Sequence, residues 1–181
     1  MSPQTLYTLL AAAVLAFWMV GAYNRLVALR NAIGQAWAKV DEAVRLRGLA
    51  ATPLLAALRE PLQAEQGALD ALQTTLAETA RLATVMRARP VVEAHAQAWL
   101  GAEALVAAAS ARVFALLDQH PALRQDEIVT GSTQGWQEAQ AQLAFARQLF
   151  NEAAQVYNAA IALFPTRLLV PFFRFGRAGK L

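Results

Sequence analysis

Residues 6–20 read LYTLLAAAVLAFWMV, and no charged side chain occurs before Arg25. An uncharged run of roughly 18 residues is at the lower end of what crosses a bilayer as a helix. A buried core helix is one reading of it, but an all-round apolar segment at a terminus, with no polar face, argues against that. Two fates stay open. As an uncleaved signal anchor, residues 1–22 remain in lipid, with Leu6, Leu10, Val14, Phe17, Trp18 and Val20 as the membrane-anchoring side chains. As a cleaved signal peptide, they leave after Ala22, where Val20-Gly21-Ala22 is a tolerable cleavage site although no Lys or Arg precedes the apolar run. The anchor is the expectation taken forward. Arg25, Arg30 and Lys39 follow the span, so positive-inside reasoning predicts the N-terminus outside and the remaining chain in the cytoplasm.

Past the anchor the chain reads as helix. Of its 181 residues, 57% are hydrophobic, 16% are charged and 42 are Ala, against 9 Gly and 7 Pro. That balance excludes a disordered chain and favours an all-α one. The absence of cysteine excludes disulfides, thiolate metal sites, a thiol nucleophile and a lipidated cysteine. The net charge is +3, with basic and acidic residues interleaved and no nucleic-acid module, so no nucleic-acid partner is expected.

Apolar positions recur every three or four residues at Leu26, Leu29, Ile33, Ala36, Val40 and Ala43, which continues the anchor helix into a bundle. Thr52-Pro53 reads as the start of a second helix. That helix carries Leu55, Leu62, Leu69 and Leu76 at sevens, with a kink or restart at Pro61. Arg89-Pro90 marks the next boundary. A third helix follows, with Val92, Trp99, Val106 and Val113 at sevens. Residues 119–135 read as a loop through Pro121, Gly131 and Gly135. In a fourth helix Trp136, Leu143, Phe150, Tyr157 and Phe164 recur at sevens and alternate with Ala139, Ala146, Ala153 and Ala160, before Pro165. The predicted fold is all-α: an N-terminal transmembrane helix running into a long antiparallel four-helix bundle over residues 23–165. The heptads leave open a homo-oligomer that shares the seam.

With four helices the chain returns to the membrane, so residues 166–181 are predicted to lie beside it. Arg167, Phe172, Phe173, Arg174, Phe175 and Arg177 suit a membrane-surface tail, Phe at the acyl boundary and Arg on anionic headgroups. A frayed or self-packed tail is the alternative.

The stretches Tyr23-Asn24-Arg25-Leu26-Val27-Ala28-Leu29-Arg30-Asn31, Ala36-Trp37 and Val40-Asp41 resemble the first signature of the LemA family. Leu143-Ala144-Phe145-Ala146-Arg147, Phe150-Asn151-Glu152-Ala153, Tyr157-Asn158, Phe164-Pro165 and Phe175-Gly176 resemble its second. Residues 45–142 depart from the family pattern, and Gly21-Ala22 stands where some members carry a lipidated Cys. The resemblance implies a membrane-anchored, antiparallel helical domain. The family's associations are with envelope stress, membrane shaping and membrane proteases, and the role expected of this chain is that of a scaffold or interaction protein at the bilayer. The partners expected are the lipid bilayer and membrane or envelope proteins not identifiable from sequence.

Asn24 and Asn31 are seven apart, as are Asn151 and Asn158. One antiparallel register aligns Asn24 with Asn158, Asn31 with Asn151 and Arg30 with Glu152. These six residues are therefore expected either to set the register of the first and last helices or to be plain surface groups. Catalysis has no motif to rest on. His95 and His120 are 25 positions apart and lack zinc spacing, so no metal, cofactor or enzymatic reaction is expected.

Overall fold

The computed structural model describes residues 2–181. Helix α1 runs Pro3–Arg59 without a break, 57 residues and about 86 Å. Ser2 caps it, its side chain accepting from the Thr5 amide, and Pro3 sits in the first turn where its missing N–H costs nothing. A short 3₁₀ turn at Gln63–Glu65 leads into α2, Gln66–Ala88. Then come α3, Glu93–Gln119, a one-turn α4, Pro121–Arg124, and α5, Glu127–Ala162. A 3₁₀ turn at Thr166–Leu168 and the short α6, Val170–Phe173, complete the order. Among the described residues there is no strand, only an isolated antiparallel bridge between Val92 and Ala178.

The part of α1 after Tyr23 forms an antiparallel bundle with α2, α3 and α5, in which the principal packed pairs are α1 with α5 and α2 with α3. The expected break at Thr52-Pro53 is absent: Pro53 lies inside α1. Its ring is exposed, while neighbouring Ala51, Leu54, Leu55 and Leu58 are all buried. Burial of that face outweighs the hydrogen bond Pro53 forfeits. The helix ends instead at Arg59, just before Pro61, where a restart was expected. Leu55 therefore belongs to α1, Leu62 to the turn, and of that heptad series only Leu69 is buried on α2. The expected loop at 119–135 is mostly helix. Asp126 caps α5, its Oδ1 accepting from the Ile128 and Val129 amides, so α5 starts nine residues before Trp136.

The core divides into two apolar clusters. One gathers Leu26, Ile33, Trp37, Val40, Trp99, Phe150 and Tyr157 at the end nearer the apolar head of α1. The other gathers Leu54, Leu58, Leu69, Val106, Val113 and Trp136 at the far end. Between them each long helix places one polar residue: Arg47, Thr79, Glu103 and Gln140. Arg47 is fully buried and grips Glu103 with two bonds, Nη1 to Oε2 at 2.8 Å and Nη2 to Oε1 at 2.5 Å. Its Nη1 also donates to Gln140 Oε1 at 3.2 Å, and the guanidinium lies 5.7 Å from the Trp136 ring centroid.

A buried pair adds little net stability, yet removing one partner strands a charge in the core. Glu103→Ala should lower stability by about 3–5 kcal/mol. Arg47→Met combined with Glu103→Leu should recover most of that loss. Urea unfolding of the micelle-solubilised chain, followed by circular dichroism, checks both expectations.

Candidate membrane interface

The interface is built from the first third of α1 and the turn-back after α5. None of the residues in the most apolar 18-residue window of α1 is buried in the rest of the chain. Leu6, Leu10, Val14, Phe17 and Val20 are exposed, Phe17 at 80%, and Trp18 is half-buried. α3 is also long and apolar enough to cross a membrane, but a third of its window is buried, and it carries Trp99, Glu103, Val106 and Val113 into the bundle.

The chain after α5 returns to the exit of this rod. Tyr23 packs on Phe173 with ring centroids 4.8 Å apart and on Phe175 at 6.0 Å. Arg174 adopts the left-handed region, φ 52°, and so reverses the chain toward the bundle. Residues 176–181 then lie against α5. Tyr157 Oη donates to the Gly176 carbonyl at 2.9 Å. Asn158 pairs with both backbone groups of Ala178, at 2.9 and 2.8 Å. Asn151 pairs with both backbone groups of Leu181, at 2.6 and 2.7 Å. Gly179 fits because it has no side chain: a Cβ there would stand 2.7 Å from Ala96 Cβ and 3.0 Å from Glu93 Cα.

Several expectations are corrected by this arrangement. α1 and α5 are adjacent and antiparallel, but Asn24 and Asn31 are exposed and pair with neither Asn151 nor Asn158. Arg30 is exposed, and Glu152 accepts instead from Gln148 one turn away at 3.0 Å. The helices mesh about one turn from the expected register, with Trp37 on Phe150, Arg47 reaching Gln140 and Ala50 beside Gly135. The physical reason is demand. The extended tail has backbone donors and acceptors with no ladder to satisfy them, and the α5 amides meet that need. Phe175 is 6% exposed and belongs to the core rather than to the outer surface. Phe164, placed by its heptad in the core, lies past the end of α5 and is 75% exposed. Arg167, Phe172, Arg174 and Arg177 are exposed, with Phe172 at 81%, and Phe173 is partly covered by Tyr23.

A charge asymmetry went unread in the sequence. Residues 1–40 and 153–181 contain no Asp or Glu, yet hold Arg25, Arg30, Lys39, Arg167, Arg174, Arg177 and Lys180. The fold brings these two stretches together at one end of the bundle, where Glu93 at the head of α3 lies beside Gly179 of the tail. The buried Arg47–Glu103 pair was also missed. Its signal was present: Arg47 continues the Leu26, Ile33, Val40 heptad, and Glu103 falls between Ala96 and Ser110 in another. His120 closes α3, its Nδ1 2.8 Å from the Leu116 carbonyl oxygen, and His95 is half-buried. Among the described residues no cluster of three metal-ligating side chains occurs.

Fold and interface together define an all-α protein whose bundle grows out of an exposed apolar helix, with its tail folded back to the junction. The family model of LemA matches residues 36–180, and the chain belongs to the LemA family. A search of curated proteins finds no match.

Burial pushes the Tyr157 phenol above its ordinary value of about 10, opposed in part by the Arg30 guanidinium. Below that pH the phenol is protonated whether the chain is folded or not, and stability is unaffected. Above it the unfolded form ionises first, so stability should fall as pH rises, and Tyr157→Phe should flatten that fall. Asn158→Ala should speed amide exchange at Ala178 roughly ten- to a hundred-fold, with helix content unchanged, because one donor and one acceptor are lost together. Both outcomes are readable by NMR in micelles.

Proposed function

We propose that this protein is a single-pass, bilayer-anchored helical scaffold, held by residues 1–22 and presenting its bundle at the membrane surface. The observation that carries the reading is the apolar window at the head of α1, in which no residue is buried. Each large side chain left in water there forgoes about 1.5–3 kcal/mol of burial. Lipid covers all of them at once, and the bundle lends them nothing.

The basic side chains near the exit of the rod support the same placement. Arg25 and Arg30 of α1 and Arg167 and Arg174 of the tail lie toward the exit of the rod, where anionic headgroups would lie. Phe164, Leu168 and Phe172 are exposed among them and suit the acyl boundary. Arg25, Arg30 and Lys39 favour a cytoplasmic bundle. The scaffold's work is binding: Leu105 on α3 and Phe145 on α5 are exposed apolar side chains on which membrane or envelope proteins can dock. The reading assigns the chain no reaction and no cofactor.

A soluble bundle released after Ala22 is the competing reading. It draws on one observation: the buried core begins at Leu26, so nothing before Tyr23 is needed to complete it.

The full-length chain should stay with the membrane pellet in alkaline carbonate and should retain residues before Tyr23 on N-terminal sequencing. Leu10→Arg with Val14→Arg should shift it to the soluble fraction, since each arginine at mid-span costs about 2.5–3.5 kcal/mol. A wild-type chain that washes off, or that begins at Tyr23, overturns the anchor.

A further inference from the structure

We propose that the face of α5 carrying Asn151 and Asn158 is an extended-peptide site, filled in cis by residues 176–181 and able to take the same segment from a second copy of the chain.

The spacing makes this a ladder. Two residues seven apart on a helix are separated by about 10.5 Å. Two residues three apart on an extended strand are separated by about 10 Å. Asn158 takes Ala178 and Asn151 takes Leu181, so the peptide runs antiparallel to the helix with each amide reading both backbone groups of one residue. Tyr157 adds the Gly176 carbonyl, and Val92 bridges Ala178 from the other side. The site reads main chain, as a sheet edge does when it accepts an added strand. Its selectivity is steric: Ala178 and Gly179 are buried, and only glycine escapes Ala96 and Glu93. Lys180 between the two clamped positions points to solvent.

The occupant follows from what fits. The segment seated on the ladder is the chain's own, and a second copy carries it identically. Residues 163–175 connect it to α5, and extended they reach about 45 Å, enough to span to a neighbouring bundle. Most of this connector is exposed, its Leu169 and Phe175 excepted. Cis and trans docking make the same bonds, so local concentration selects between them. Two copies facing each other exchange tails symmetrically, a closed two-fold arrangement. Anchoring in one bilayer, which is the preceding proposal, sets both ladders at one height.

The test uses two full-length variants in detergent micelles, so that its result is independent of carbonate extraction. Gly179→Val spoils the tail and leaves the ladder free. Asn151→Ala with Asn158→Ala spoils the ladder and leaves the tail intact. Labelled with donor and acceptor dyes, the two variants should associate at least ten-fold more strongly when mixed than either does alone, and a synthetic peptide of residues 174–181 should compete. No association on mixing, or equal association of each variant alone, overturns the proposal. Should Gly179→Val lose its helical signal, amide exchange of the wild-type chain decides. Ala178 and Leu181 amides exchanging at least ten-fold faster than that of Phe150 support an exchangeable tail, and equal rates overturn it.

Discussion

One unbroken helix governs the whole molecule. α1 is both the apolar rod and the central stave of the bundle, with no linker between the two. A helix of this length bends gently but does not swivel. The bundle therefore stands at a fixed angle and height relative to whatever holds residues 3–20. α5, 36 residues and about 54 Å, matches the stretch of α1 from Tyr23 to Arg59, so its end and the tail arrive at the exit of the rod by length alone.

Along that axis the core is not uniform. Two apolar clusters are separated by the level of Arg47, Thr79, Glu103 and Gln140. Apolar heptads slide past one another at small cost, because one Leu or Ala layer resembles the next. A bidentate ion pair does not, since a slip by one turn strands both charges. Arg47 and Glu103 thus do for α1 and α3 what the four asparagines were expected to do for α1 and α5.

Helix existence was legible because sevens and fours persist over long stretches, and the bulky–Ala alternation placed Trp136, Leu143, Phe150 and Tyr157 in the core. Boundaries were less legible. Pro53 has the local look of a helix start, yet the buried residues around it hold the helix together. Gly131 and Gly135 look like loop, yet Asp126 nucleates α5 before them. The asparagine pairs were noticed and given the wrong partner. An irregular tail that needs hydrogen bonds leaves no periodic trace, so its claim on Asn151 and Asn158 became readable only in three dimensions. The family match over residues 36–180 takes in this tail as well as the bundle.

The central claim is that the head of α1 lies in lipid while the tail loop rests at its surface. Spin labels at Val14 and at Gln35 of the full-length chain in vesicles measure this most directly, through their relative exposure to oxygen and to a water-soluble relaxer. The account predicts that the Val14 label is reached by oxygen and shielded from the aqueous reagent, while the Gln35 label shows the opposite. A Val14 label as open to the aqueous reagent as the one at Gln35 would contradict it.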